Sequence, residues 1–94
     1  MTLTSAQRKK ARAMAHHLEP VVRIGRAGLS EGTIAAVSQA LFDHELIKVR
    51  FYEPEDKKAM SEALAQATGS HLCGLLGHTA ILYRRHPERP QFEL

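Results

Sequence analysis

The stretch PVVRIGRAGLSEGTI, Pro20 to Ile34, holds a strand, a loop and the start of a helix in fifteen residues. Val21, Val22 and Ile24 are β-branched, so Pro20–Ile24 reads as a strand. Gly25-Arg26-Ala27-Gly28 interrupts it, since two glycines allow a sharp turn with positive φ. Ser30 is a good helix N-cap, and Leu29 with Ile34 suits a hydrophobic staple across it. Glu31 falls in the first turn, where the helix dipole favours an anion. Ile34, Val37, Ala40 and Leu41 then recur at helical spacing and form the buried face.

Working outward, Ser5 to about His17 reads as a helix with Thr4 or Ser5 as N-cap. Its buried stripe is Leu3, Gln7, Ala11, Met14 and Leu18, and Pro20 closes it. At 100° per residue, Lys9 and Arg12 point away from that stripe, Arg8 lies on its flank and Lys10 near its edge. Downstream, LIKVRFY alternates: Ile47, Val49 and Phe51 face one way, Lys48, Arg50 and Tyr52 the other. Pro54, Glu55 and Asp56 open a third helix that buries Met60, Ala63, Leu64 and Ala67 and stops at Gly69. HLCGLL and TAILYR are two strands joined at Gly77-His78 by a type II′ hairpin turn.

The order α-β-α-β-α-β-β gives an α/β fold. It has a four-stranded mixed sheet and three helices, two right-handed strand–helix–strand crossovers and a closing antiparallel hairpin. The helices cover at least one face. Residues 1–86 form the domain. Residues 87–94, in a segment with two prolines, read as a loose tail.

At 94 residues the chain holds one core, and 44% hydrophobic residues with no Trp make that core aliphatic. No apolar run reaches the ~20 residues that span a bilayer, and no secretory signal is visible. The single Cys73 fits a reducing compartment, so a cytoplasmic location is expected. The six His are scattered without zinc-ligand spacing, and no nucleophile–base set can be assembled. The expectation is a protein with no enzymatic activity, metal or cofactor. His16 and His17 are expected to cap carbonyls at the end of the first helix.

The Gly-x-x-Gly loop carries the functional signal through its context. Chance spacing supplies roughly 0.4 such pairs in a chain of this composition. A second copy, Gly74-Leu75-Leu76-Gly77, has an apolar centre and no adjacent Arg, and reads as structural. Around Gly25–Gly28 stand Arg26 at the tip, Arg23 just before it and a helix start just after. Bare main chain beside positive charge suits a phosphate backbone, as in the loops that clamp RNA. Arg8, Lys9, Lys10 and Arg12 crowd the first helix with no acid between Met1 and Leu18, a repulsion that a polyanion would relieve. Lys48, Arg50 and Tyr52 form either a basic row with a stacking aromatic or a face covered by the first helix. Arg84 and Arg85 close the last strand and extend the basic surface.

LEPVVRIGRAGLSEGTIAAVSQALFDHELIKVRF, followed by LLGHTAILYRR, resembles the CRM domain (chloroplast RNA splicing and ribosome maturation). The likeness is in particular to the stand-alone bacterial YhbY-type proteins and covers about Leu3 to Arg85. It implies a fold like the C-terminal domain of translation initiation factor three. It also implies RNA binding through the loop Gly25, Arg26, Ala27 and Gly28 and the neighbouring basic surface. The implied role is association with precursors of the large ribosomal subunit. The expected partner is RNA, ribosomal RNA or those precursor particles, and the protein itself is expected to be a monomer. A protein–protein adaptor docking on a ribosomal protein or assembly factor is the alternative.

Overall fold

The computed structural model describes residues 2–94. Its elements are α1 (Ser5–Ala15), β1 (Pro20–Ile24), α2 (Glu31–His44), β2 (Leu46–Phe51), α3 (Lys57–Thr68), β3 (His71–Leu76) and β4 (Thr79–Tyr83). The expected order is found, in one four-stranded sheet ordered β1-β2-β4-β3. β1 runs parallel to β2, and β4 is antiparallel to both β2 and β3. The second crossover therefore passes over β4 and leaves β3 at the edge.

Local signals set the helix ends. Thr4 caps α1 in a reciprocal box with Gln7, whose side chain accepts the Thr4 amide at 2.8 Å. Ser30 caps α2. α3 begins at Lys57, three residues after Pro54, because Asp56 is its N-cap and accepts the Ala59 amide at 3.0 Å. Gly69 ends α3 at φ 64 in the left-handed region. Gly77, at φ 58, is the only hairpin-loop residue with positive φ, as a type II′ turn requires.

Helices cover both faces of the sheet. α2 and α3 bury Ile24, Val37, Leu41, Ile47, Val49, Phe51, Leu64 and Leu82 on one side. On the other, α1 packs Leu3, Ala11 and Ala15 against Leu46, Cys73, Ile81 and Tyr83. Two alanines at the contact let α1 sit close to the strands. The stripe expected for α3 is rotated: Ser61, Leu64, Ala65 and Thr68 are buried, whereas Ala63 and Ala67 are exposed. Both hydroxyls return their hydrogen bond to the helix itself, Ser61 to the Lys57 carbonyl at 2.6 Å and Thr68 to the Leu64 carbonyl at 2.8 Å. A polar side chain satisfied in this way can face a core without an external partner.

The C-terminal tail lacks regular structure, as its prolines indicate, but it is not loose. Phe92 and Leu94 pack on the α1-side core. Glu45 is buried at φ 65, and its carboxylate accepts the backbone amides of His86 and Gln91. Residues near both ends of the tail are thus tied to the α2–β2 junction.

Arg12 and Arg84 also belong to the frame. The Arg12 guanidinium donates to the Cys73 carbonyl at 2.7 Å, and its aliphatic part lies over Gly74. Its direction is the reverse of that expected from the helical wheel. A half-buried Arg finds an unpaired carbonyl at the irregularity in β3 between Leu72 and Gly74, and this outweighs exposure. Arg84 donates to Ser38 Oγ at 3.0 Å, to the Ser38 carbonyl at 2.7 Å and to the Thr68 carbonyl at 2.7 Å, bracketing α2 and α3. Arg84 therefore does not join the basic surface.

Burial pushes the Cys73 thiol up to about 11, against the pull of Arg8 and Arg12. At pH 8 the thiolate fraction is then about one in a thousand. Cys73 should react with a thiol-specific reagent only through opening of the fold, and at once in denaturant. Fast labelling of the native protein would contradict the packing of α1 on β3.

A Cβ on Gly74 would stand 2.6 Å from Arg12 Cδ. Gly74→Ala should cost about 1–2 kcal/mol through overpacking. In a double-mutant cycle by denaturant melting, most of that cost should vanish in the Arg12→Ala background.

Candidate nucleic-acid interface

Gly25–Gly28 forms a tight turn at the C-terminal end of β1, closed by the Gly28 amide donating to the Gly25 carbonyl at 3.0 Å. The Tyr52 amide donates to the Ile24 carbonyl at 2.9 Å, which pins the base of the turn to the end of β2. The two glycines differ in what the fold asks of them. Gly28 sits at φ 77, where other residues are strained. Gly25 has no positive φ, and a Cβ there would meet no atom within 4 Å. The interior has no use for its missing side chain. Its exposed main chain leaves room for close approach from outside.

The turn has two flanks of opposite charge. On the first, Arg23 lies opposite Arg50 in the parallel β1–β2 pairing, so both stand on the sheet face away from α2 and α3. α1 covers only part of that face. Arg50 is exposed and stacks on Tyr52, its guanidinium carbon 5.3 Å from the ring centroid. Val21 and Leu76 are also exposed there, Leu76 at 62%. Lys48 behaves differently. Its ammonium donates to the His16 carbonyl at 3.2 Å and the Leu18 carbonyl at 3.0 Å. The residue that caps the end of α1 is thus Lys48, where His16 and His17 were expected. The Lys48–Arg50–Tyr52 row accordingly splits: Lys48 lies under the end of α1, while Arg50 and Tyr52 face solvent.

The second flank is acidic. Arg26 forms a 2.5 Å ion pair with Glu53, both side chains well exposed at 80% and 67%. Glu53 holds φ 50, a left-handed backbone uncommon for a residue other than glycine. Glu53 faces the loop through this pair. Gly25–Leu29, Glu53–Asp56, Ala59, Met60 and Ala63 line an open cleft of about 460 Å³ between the turn and α3. Sequence reasoning missed this cleft. Its one trace is the pair Ala59 and Ala63, small residues four apart on an exposed helix face.

Of the cations on α1, Lys9 and Lys10 are exposed. Arg8 folds back onto the Leu3 carbonyl at 2.8 Å and lies near His71, which stays below its ordinary range through burial first and nearby positive charge second. The structure thus brings together Arg23, the loop Gly25-Arg26-Ala27-Gly28 and Arg50. Lys9 stands apart on α1, and Arg12, Lys48 and Arg84 are engaged within the fold. Among the described residues no group of His, Cys, Asp and Glu could hold a metal ion, and no helix is long and apolar enough to cross a membrane.

A mixed sheet clad on both faces, with a bare glycine turn and exposed arginines at one end, defines a small α/β domain with a surface suited to an extended anionic chain. The chain belongs to the CRS1 / YhbY (CRM) domain family, whose model matches residues 3–84. It is 39% identical over 90 residues to a probable RNA-binding protein of Pseudomonas aeruginosa, covering 94% of this chain and 86% of that one. It is 37% identical over 94 residues to the probable RNA-binding protein YqeI of Bacillus subtilis, covering 98% of each. The solution structure of a hypothetical Staphylococcus aureus protein, described as a candidate RNA binder, superposes with a TM-score of 0.87. That protein is 35% identical, and the match covers 99% of both chains.

The different roles of the two glycines can be measured. Gly25→Ala should leave thermal stability unchanged or raise it by up to about 1 kcal/mol, by narrowing the unfolded ensemble. Gly28→Ala should lower it by about 1–2 kcal/mol, because φ 77 strains a side chain.

Proposed function

We propose that this protein binds RNA by laying the sugar-phosphate chain against the main chain of Gly25–Gly28, with Arg23, Arg26 and Arg50 meeting phosphates and Tyr52 offering a stacking face. Gly25 carries the proposal: its side chain is absent where neither backbone conformation nor packing requires it. The relatives named as RNA-binding proteins support the reading. Lys9 and Lys10 add a more distant positive surface that steers approach. Recognition through phosphates and shape suits structured RNA.

The finer proposal is that the RNA is ribosomal, met in precursors of the large subunit. It rests on the resemblance to stand-alone bacterial YhbY-type proteins. The protein acts there as a binder without chemistry of its own.

Binding to a structured ribosomal RNA fragment should weaken steeply with salt, each phosphate contact adding roughly 0.7–0.9 to the slope of log K against log salt. Arg26→Glu and Arg50→Glu should each weaken binding and flatten the slope while leaving the melting curve in place. An unchanged slope in both variants would overturn the proposed surface. In cell extracts, association with large-subunit precursors should disappear after ribonuclease treatment. Persistence would favour docking on a protein.

A further inference from the structure

We infer that the cleft between the Gly25–Gly28 turn and the start of α3 is a subsite for a single unstacked nucleobase, and that it selects guanine. The inference rests on the proposal that an RNA strand crosses the turn. A base next to a phosphate held at Gly25 has two directions open to it. One leads to Arg50 and Tyr52 on the sheet face. The other leads into the cleft of about 460 Å³ lined by Met60, Ala59, Ala63 and Leu29. That volume admits a purine, and these side chains offer the flat face of a base an apolar contact.

The polar rim decides which base. Among the described lining residues, the charged side chains are Arg26 and the carboxylates of Glu53, Glu55 and Asp56. Arg26 is positioned for phosphate and paired with Glu53. One Asp56 oxygen caps α3 by accepting the Ala59 amide. Glu55 makes no hydrogen bond or ion pair among the described residues. Ionised carboxylates only accept hydrogen bonds. Guanine is the base whose Watson–Crick edge offers two adjacent donors, N1–H and the N2 amine, spaced to meet the two oxygens of one carboxylate. Adenine and cytosine set a ring-nitrogen acceptor beside their amine, and uracil flanks its single N3–H with carbonyls, so each brings a lone pair against the acidic rim. The carboxylates would repel phosphate at this position, and they favour a base edge rich in donors.

The test is fluorescence titration of eight-nucleotide single-stranded RNAs, otherwise all uridine, carrying one central guanosine, inosine, adenosine or uridine. Inosine retains N1–H and loses the N2 amine. The guanosine oligomer should bind about tenfold more tightly than the others, the discrimination of one bidentate contact. In the Glu53→Gln/Glu55→Gln double variant that preference should fall below about twofold, while affinity for the uridine oligomer rises because two negative charges leave the loop. Ala63→Phe, which fills the cleft from an exposed helix position, should also abolish the preference. Circular dichroism melting checks that both variants fold. Equal binding of all four oligomers that is still lost in Arg26→Glu would overturn the subsite and leave the RNA-binding reading intact. A guanine preference unchanged in the double variant would overturn the subsite as well. No binding of any oligomer or of a structured ribosomal fragment would overturn both.

Discussion

The hydrogen bond from the Gly28 amide to the Gly25 carbonyl closes the turn on which the rest of the functional end depends. Four residues take the chain from β1 at the sheet edge toward α2 on one face, and only a positive φ at Gly28 lets it turn in that length. The bond from the Tyr52 amide to the Ile24 carbonyl then fixes the turn to β2. Arg23, Arg50 and Tyr52 take their places from the β1–β2 register, and Glu53 follows directly. A rigid base under an exposed main chain keeps that backbone open to a ligand without a large ordering cost.

Charge on this chain is divided between frame and surface. Arg12, Lys48 and Arg84 complete backbone carbonyls at a sheet irregularity, a helix end and a helix–helix bracket. Each is a cation satisfied within the fold, and losing one would leave a part-buried acceptor unpaired. The net charge of +3 therefore overstates the part of the basic surface that faces a ligand near the turn. What remains is a patch of guanidinium groups at one end of the sheet, with a carboxylate rim on its other side. The pairing of Arg26 with Glu53 sets the boundary between the two.

The sequence made most of the architecture legible, because each element carries its own signal. The alternation of Ile47, Val49 and Phe51 fixes the inner face of β2, and Ser30, Gly69 and Gly77 mark ends that local chemistry enforces. The α3 face was harder to read, since Ser61 and Thr68 are satisfied by their own helix and carry no apolar mark. The fate of the cations was legible only in part: the cover of α1 over Lys48 was one of two open readings, and Lys9 is exposed as the wheel indicates. The helical wheel places Arg12 outward, but a long side chain reaches a carbonyl sixty-one residues away that only the fold brings near. The tail was misjudged for a related reason: Glu45, at the end of a different helix, supplies the acceptors that hold it. The loop itself was visible as a motif. Its acidic flank was not, because Glu55 and Asp56 read equally well as helix-start residues, and only the fold brings Glu53 to Arg26.

On the proposed binding mode, exposed main chain at Gly25 to Gly28 lies directly against RNA. The most direct test is an amide shift map of the isotope-labelled protein titrated with a ribosomal RNA fragment. The largest changes should fall at Gly25, Arg26, Ala27 and Gly28 and continue to Arg23, Arg50 and Tyr52. Changes centred on the outer face of α2, with the amides of Gly25 to Gly28 unmoved, would contradict that binding mode.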